Sequence, residues 1–282
     1  MDQYAVFGHP IAHSRSPEIH AWFAAQTHQA LEYRAILAPL DDFEGCASAF
    51  FAAGGCGANV TVPFKLDALV FCDQLSQRAR LAGAVNTLWK DAQGQMHGDN
   101  TDGIGLVRDI TQQLGVNLAG QRVLLLGAGG AARGAIEPLL KAGVRHLTIA
   151  NRTLSKAQQL ITLFHGVESP AGRQASSWEG LMGEQFDLVI NATSASLQGE
   201  LPPLPEDLFA PQSLAYDMMY AAQPTPFMRW AHQQGAARVA DGLGMLVEQA
   251  AEAFFLWRGV RPPTAELVHS LRQHMAHTAK VE

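Results

Sequence analysis

One lysine in the first third of the chain stands where chemistry explains it better than stability does. Lys65 closes the segment ANVTVPFK, two residues after Pro63. If Pro63 is the first residue of a helix, the Lys65 ammonium lies at the third position, where the helix dipole disfavours a cation by roughly 0.3 to 1 kcal/mol. We therefore consider Lys65 a candidate functional residue, with an ordinary surface lysine as the alternative.

Two polar segments, GAVNT and GDNTDG, add an amide and a carboxylate to the candidates. Asn86 either hydrogen-bonds a substrate hydroxyl or only stabilises its own turn. Asp102 is either a catalytic carboxylate or the N-cap of the helix that follows, and its position before a glycine favours the cap. These residues alone leave both alternatives open.

The segment HSRSP offers two hydroxyl groups at alternate positions. In an extended chain alternate side chains point the same way, so Ser14 and Ser16 would share a face and grip one carboxylate. The alternative is purely structural, because Ser16 before Pro17 is also typical of a helix N-cap followed by proline at the first helical position.

A glycine-rich turn in the middle of the chain carries the strongest ligand signal. Residues 121–153 are typical of strand, glycine turn, helix and strand, and Gly127, Gly129 and Ala132 fit the dinucleotide fingerprint. About 20 residues past the glycines, where NAD enzymes carry an acid, this chain has Asn151-Arg152-Thr153. Because a guanidinium pairs with a 2′-phosphate, the unit favours NADP over NAD, unless Arg152 is a solvated loop residue.

The composition limits the classes of protein to consider. The chain has 282 residues, 48% of them hydrophobic and 16% charged, which is typical of a globular protein with two domains. A net charge of -6 argues against nucleic acid as a partner. No export signal and no apolar run of membrane-spanning length is visible, so we expect a cytoplasmic protein. The cysteine and histidine spacings predict reduced thiols and no metal site.

Alternating strand and helix patterns in the first hundred residues predict a mainly parallel sheet with helices on its faces. The strand patterns cover residues 4–8, 31–38 and 58–62, the helix patterns cover 16–28 and 41–53, and a further helix begins at Pro63. A hairpin at the sheet edge is predicted over residues 85–90 and 95–98.

The turn at residues 99–103 leads into a helix that ends near residue 114 and marks the start of the second domain. Its strand patterns cover residues 122–126, 146–150, 186–190 and 214–217, and its helix patterns cover 131–140 and 155–164. A long apolar helix over residues 245–257 must dock against another surface. The predicted fold class is therefore α/β with two domains.

Taken together, ten segments resemble the shikimate dehydrogenase family in order and spacing from residue 4 to about 260. They are GHPIAHSRSP, GANVTVPFK, AGAVNT, GDNTDG, GAGGAAR, NRT, NATS, YDMMY, TPF and DGLGMLVEQA. The resemblance implies the NADP-linked reduction of 3-dehydroshikimate to shikimate, with a substrate cleft between the domains. It also implies a substrate-binding and catalytic domain over residues 1–102 and 241–282, a Rossmann NADP-binding domain over 103–240, and C-terminal helices that return to the first domain.

The resemblance further implies roles for individual residues. Lys65 and Asp102 correspond to the catalytic pair. The substrate contacts it implies are Ser14, Ser16, Thr61, Asn86, Tyr220 and Gln249. The cofactor contacts it implies are Gln77, Gly127, Ala128, Gly129, Gly130, Ala131, Asn151, Arg152, Thr153, Leu154, Ser155, Lys156, Thr193, Met218 and Gly242. One departure is Ser196, where the family usually has a glycine soon after NATS.

Two other functions compete with this interpretation. A quinate/shikimate dehydrogenase that uses NAD differs in substrate and cofactor range. A non-catalytic NADP-binding regulator on the same fold would not require Lys65 and Asp102, and both residues are present. The sequence leaves the choice between monomer and homodimer open.

Overall fold

Two six-stranded sheets organise the computed structural model, which describes residues 1–193, 195 and 200–278. The first unit covers Met1–Gly105 and Val247–Leu267, and the second covers Leu106–Leu246 and the chain from Val268 onward. Each unit combines one sheet with helices, so the predicted α/β class is confirmed. The assignment of substrate to the first unit and of nucleotide to the second stays a prediction.

The first unit follows the predicted alternation of strands and helices. Its elements are β1 (Asp2–Gly8), α1 (Ser16–Thr27), β2 (Leu31–Leu37), α2 (Phe43–Ala52), β3 (Gly55–Val60), α3 (Lys65–Phe71), β4 (Gln74–Leu75), α4 (Gln77–Ala82), β5 (Thr87–Lys90) and β6 (Met96–Asp99). The sheet order is β2-β1-β3-β5-β6-β4, with β1 parallel to both of its neighbours and β5 antiparallel to both of its own. Because β5 runs opposite to β3 and β6, the end of β3, the start of β5 and the end of β6 share one edge of the sheet.

Three local predictions in this unit were wrong. The β5-β6 hairpin does not form the sheet edge, because the two-residue strand β4 pairs with β6 beyond it. Helix α3 begins at Lys65 and not at Pro63, because Phe64 is buried and its N–H closes a turn onto the Thr61 carbonyl at 3.1 Å. Lys65 is therefore the first helical residue, not the third.

The third correction concerns the HSRSP segment, which is a turn and not an extended strand. Arg15 has helical backbone angles, and the N–H of Ser14 donates to the Ile11 carbonyl at 3.0 Å. Helix α1 begins at Ser16, so Ser16 is not its N-cap. The two serines nevertheless stay adjacent, since the Ser16 N–H donates to Ser14 Oγ at 3.3 Å.

The second unit contains a fully parallel sheet in the order β12-β11-β10-β7-β8-β9. Its elements, with the helices that lead into and out of it, are α5 (Asp102–Arg108) with a π-helical turn at Asp109–Gln113, β7 (Arg122–Leu126), α6 (Gly130–Lys141), β8 (His146–Ala150), α7 (Leu154–Leu163), β9 (Gly172–Ser176), a 3-10 turn at Glu179–Leu181, β10 (Phe186–Asn191), β11 (Phe209–Asp217), α8 (Pro226–Gln233), β12 (Arg238–Asp241), α9 (Leu243–Arg258) and α10 (Ala265–Thr278). Since all six strands are parallel, their carboxyl ends meet at one edge.

Buried apolar side chains explain why these elements form. Leu124 and Leu126 of β7 point into a core that contains Phe186, Phe209 and Phe227, and the whole run Val123 to Leu126 is buried. A strand that is apolar on both faces is typical of a parallel sheet covered on both sides. Within the described residues, no helix combines the length and apolar character needed to cross a membrane. All three cysteines are free thiols.

A buried histidine lies in an aromatic cluster between α1, β2 and α9. The His20 ring is fully buried and stacks on Tyr33 at a centroid distance of 4.1 Å and an interplanar angle of 5°. Phe254 and Trp257 contact the same ring. Burial lowers the pKa of His20 to about 3, because the cluster does not solvate an imidazolium.

This depressed pKa makes the stability of the fold depend on pH. Below pH 6.5 the unfolded chain binds a proton at His20 that the folded chain does not bind until about pH 3, so stability falls as the pH is lowered through this window. Between pH 6.5 and 5 the native protein should lose about 2 kcal/mol of unfolding free energy that a His20→Phe variant keeps. Denaturant titrations at the two pH values measure this difference, and parallel losses in both proteins would contradict it.

Candidate active site

An ion pair lies at the shared strand edge of the first unit. Lys65 Nζ donates to Asp102 Oδ2 at 2.6 Å, and the two side chains are 30% and 22% exposed. Lys65 is the first residue of α3, and Asp102 is the first residue of α5. The Val85 N–H donates to the Lys65 carbonyl at 2.9 Å, which fixes the backbone of the lysine. The pair is thus held in place while both charged groups remain accessible.

The Asn86 amide fixes the other side of the Asp102 carboxylate. Asn86 Nδ2 donates to Asp102 Oδ1 at 2.8 Å, and Asn86 Oδ1 accepts from the Thr101 N–H at 2.9 Å and from Thr87 Oγ1 at 2.8 Å. The Asn86 side chain is buried. Both carboxylate oxygens of Asp102 therefore accept hydrogen bonds from side chains of other segments, an arrangement that suits acid–base chemistry better than capping its own helix.

Four further candidates for substrate contacts belong to the same unit. Ser16 begins α1 beside Ser14, and Thr61 follows β3, where its N–H donates to the Phe7 carbonyl at 2.9 Å. Gln249 on α9 accepts a hydrogen bond from Thr101 Oγ1 at 3.4 Å. Thr101, which the sequence did not single out, thus contacts both Asn86 and Gln249.

A partly buried ionic cluster supports the same strand edge. Arg78 donates to both carboxylate oxygens of Asp99, at 2.8 and 2.7 Å, and to Glu252 of α9 at 3.0 Å. Arg261 also pairs with Glu252. The Asp99 carbonyl in turn accepts a hydrogen bond from the Asn86 N–H at 3.0 Å. The cluster therefore fixes the end of β6, to which the backbone of Asn86 is hydrogen-bonded.

A pocket of about 680 Å³ opens at the carboxyl edge of the second sheet. Gly127 has a φ of 104°, a left-handed conformation that glycine adopts at no steric cost. Gly129 is the N-cap of α6 and makes no side-chain capping bond, and a Cβ at Gly129 or Gly130 would meet no atom within 4 Å. The start of α6 therefore lines the pocket without side chains in the way, as an anion-binding helix terminus requires.

The pocket includes part of the predicted cofactor set and several residues that the sequence did not reveal. Its lining comprises Gly127, Ala128, Gly129, Gly130, Ala131, Asn151, Arg152, Trp178, Ala192, Thr193, Ala195, Glu200, Leu201, Pro202 and Pro203. Arg152 is exposed directly after β8, and Asn151 Nδ2 donates to the Thr153 carbonyl at 2.9 Å. Trp178 was missed because it follows β9, a strand without an apolar pattern.

The remaining cofactor candidates lie around this edge or apart from it. Thr153 precedes α7, and Leu154, Ser155 and Lys156 form its first turn. Gln77 is exposed at the start of α4 in the first unit. Ser196 lies outside the described residues.

Hydrogen bonds between polar side chains connect the loops after β10 and β11. Asn191 Nδ2 donates to Asp217 Oδ1 at 3.2 Å, and Thr193 Oγ1 donates to Asn191 Oδ1 at 2.7 Å. Tyr220 lies in the loop after β11. Close by, a Cβ at Gly242 would collide with the carbonyl oxygen of Met218, so only glycine fits there.

The described part of the chain contains no metal site comparable to the Lys65–Asp102 pair. In residues 1–193, 195 and 200–278, no three His, Cys, Asp or Glu side chains converge as metal ligands would.

The packing of α5 against α9 generates a first test of the site. A Cβ at Gly105 would lie 2.7 Å from the backbone nitrogen and the Cβ of Gln249. Gly105→Ala should therefore push the two helices apart and lower the free energy of unfolding by about 1 to 3 kcal/mol. Gly166→Ala is the matched control, since a Cβ there would meet no atom within 4 Å. Equal melting temperatures for the two variants would contradict this packing.

Three family profiles match successive parts of the chain. A shikimate dehydrogenase substrate binding domain matches residues 6–88, a shikimate / quinate 5-dehydrogenase profile matches 108–198, and a shikimate 5′-dehydrogenase C-terminal domain matches 242–272. The matched segments include Lys65, Asn86, the glycine turn and Gln249, and so contain most of the site described above.

Individual proteins are similar over nearly the whole length. The shikimate dehydrogenase (NADP(+)) of Chromohalobacter salexigens is 58% identical over 97% of this chain and 99% of its own. An Ael1 enzyme from Pseudomonas putida has a crystal structure with a TM-score of 0.90, 51% identity, and coverage of 96% and 98%. A shikimate 5-dehydrogenase from Thermus thermophilus, solved with NADP(H) and shikimate, has a TM-score of 0.83, 34% identity, and coverage of 97% and 99%.

Proposed function

The chain belongs to the shikimate dehydrogenase family, and we propose that it catalyses the reversible NADP-dependent reduction of 3-dehydroshikimate to shikimate. The observation that carries the proposal is the Lys65–Asp102 pair, in which an accessible ammonium lies 2.6 Å from a carboxylate that Asn86 orients. A regulator that only binds nucleotide would have no use for such a pair. The free-thiol cysteines and the biosynthetic reaction support a cytoplasmic location. We further propose that the protein is a monomer or a homodimer.

The pocket of the second unit fits the nucleotide that this reaction needs. Gly127 to Ala131 would hold the pyrophosphate with backbone N–H groups at the start of α6, and Arg152 would pair with the 2′-phosphate. Thr153 to Lys156, Thr193, Met218 and Gly242 would complete the site, and Gln77 is a further proposed cofactor contact. When bound, NADPH supplies the hydride that reduces the ketone carbon of the substrate.

Lys65 is the proposed proton donor of the reaction. As the ketone carbon is reduced, its oxygen gains negative charge, and the Lys65 ammonium both stabilises that charge and donates a proton to the oxygen. Asp102 keeps Lys65 in position and keeps the pair close to neutral overall. In the reverse direction the pair accepts the proton of the substrate hydroxyl, and the proton belongs to Lys65 and Asp102 jointly, as expected for coupled groups.

Hydroxyl and amide groups would bind the rest of the substrate. We propose that Ser14 and Ser16 hold the carboxylate, because the Ser14 hydroxyl lies 3.3 Å from the backbone nitrogen of Ser16, the first residue of α1. Thr61, Asn86, Gln249 and Tyr220 would bind the ring hydroxyl groups, since each offers a donor or an acceptor of the required kind. A substrate with one carboxylate and several hydroxyl groups matches this set.

A direct assay tests the proposed function. The purified protein should reduce NADP with shikimate as the electron donor, which the absorbance of the reduced nicotinamide reports. Parallel reactions with quinate and with NAD separate this activity from that of a quinate dehydrogenase, and we expect both to be slower. If no reduced nicotinamide forms from shikimate with either cofactor, the proposal is wrong.

Cofactor preference depends on the loop after β8. Arg152→Ala should raise the Michaelis constant for NADP by about one to two decades and leave that for NAD nearly unchanged, because only the 2′-phosphate uses this charge-assisted contact. Arg145→Ala is the matched control, since Arg145 is an exposed arginine just before the same strand. Equal losses with both cofactors would show that Arg152 does not read the 2′-phosphate.

The acid–base assignment makes a separate prediction about additivity. Lys65→Ala and Asp102→Ala should each lower kcat by about two decades or more, since general acid–base catalysis is worth 10² to 10⁴. If the two groups act as one unit, the double variant should be scarcely worse than the poorer single variant. Steady-state rates give the three values, with NADP titrations and thermal melts as controls. Near wild-type kcat in folded Lys65→Ala would rule out this mechanism.

A further inference from the structure

A line of hydrogen bonds joins a tyrosine of β2 to the catalytic carboxylate, entirely within the first unit. The Tyr33 hydroxyl donates to Asn59 Oδ1 at 2.8 Å, and Asn59 Nδ2 donates to Thr87 Oγ1 at 3.2 Å. Thr87 Oγ1 donates to Asn86 Oδ1 at 2.8 Å, and Asn86 Nδ2 donates to Asp102 Oδ1 at 2.8 Å. Four consecutive hydrogen bonds therefore lead from Tyr33 to Asp102.

Two backbone groups fix the direction of this line. The Thr101 N–H can only donate, and it donates to Asn86 Oδ1 at 2.9 Å, so Asn86 Nδ2 must face Asp102. The Asn86 carbonyl can only accept, and it accepts from Asn59 Nδ2 at 3.1 Å, so Asn59 Oδ1 must face Tyr33. The Tyr33 hydroxyl consequently has to donate, and every hydrogen bond in the line points toward Asp102.

Tyr33 is held rigidly at the start of the line. Its ring stacks on the buried His20 at a centroid distance of 4.1 Å, with the planes 5° apart. Burial raises the pKa of Tyr33 well above its usual range, while the hydrogen bond with Ser16 acts in the opposite direction. The phenol therefore keeps its proton. The Tyr33 hydroxyl contacts both Ser16, which is proposed to bind the substrate carboxylate, and Asn59.

We propose that Tyr33 is a positioning residue for the reaction, whose hydroxyl orients and polarises the line Asn59–Thr87–Asn86 that holds Asp102. Hydrogen bonds in series with one direction strengthen one another, so the donor at the start influences the strength of the bond at the end. Asp102 in turn positions the Lys65 ammonium. The proposal rests on the proposed function, because it assigns Tyr33 a role in the same proton transfer.

The test compares two phenylalanine substitutions in one aromatic cluster. Tyr33→Phe removes the hydroxyl and keeps the ring on His20. Tyr4→Phe is the matched control, because Tyr4 is paired with Tyr33 across β1 and β2 and contacts Trp257, whereas its hydroxyl bonds to Arg258. We expect kcat of Tyr33→Phe to be at least threefold lower than that of Tyr4→Phe, with equal Michaelis constants for NADP. A smaller difference would overturn the proposal.

A second comparison separates a positioning role from general destabilisation. Thr87→Val breaks the line at its midpoint, so adding Tyr33→Phe to it should change kcat by less than twofold. In the Thr87→Ser background, where the hydroxyl remains, Tyr33→Phe should keep its full effect. Equal effects of Tyr33→Phe in both backgrounds would overturn the proposal.

Wild-type turnover of shikimate with NADP is measured first in the same series. Its absence would contradict the proposed function and this inference with it. An active wild type in which the two phenylalanine variants behave alike would contradict the inference alone.

Discussion

The ion pair between Lys65 and Asp102 is the point at which three segments of the first unit meet. Its two residues begin α3 and α5, which follow β3 and β6, and Asn86 between them precedes the antiparallel strand β5. The strand order brings these three points to one edge of the sheet, although they are up to 37 residues apart. An open carboxylate and ammonium at an edge would pair loosely, and the buried amide of Asn86 gives the pair a defined geometry.

The second unit also brings its candidate site residues together at one edge of its sheet. All of its strands are parallel, so the turns after β7, β8, β9 and β10 gather at one edge and line one pocket. Backbone N–H groups at the start of α6 suit phosphate oxygens, and the exposed Arg152 beside them suits a further phosphate. The proposed acid–base pair and the proposed phosphate-binding groups thus lie on separate sheets.

The sequence predicted strands and helices well where the local residue pattern and the tertiary packing favour the same structure. The apolar run of β7 and the glycines after it predicted one strand–turn–helix unit closely, whereas β9, with the sequence GRQAS, has no apolar pattern. Lys65 was misplaced by two positions because the burial of Phe64, a tertiary effect, decides where α3 begins. The candidate site residues could be named from sequence motifs. The direction of the hydrogen bonds through Asn59 and Thr87 could not be predicted, because it is set by backbone groups from distant segments.

A crystal structure of the protein with shikimate and oxidised NADP would show whether the Lys65–Asp102 pair meets the reacting hydroxyl group. We expect the hydroxyl to be oxidised to lie within about 3.2 Å of Lys65 Nζ or the Asp102 carboxylate, the distance that proton transfer requires. The carboxylate of shikimate should contact Ser14 and Ser16. A reversed orientation, with the shikimate carboxylate at Lys65 and the reactive hydroxyl away from both groups, would contradict the acid–base role of the pair.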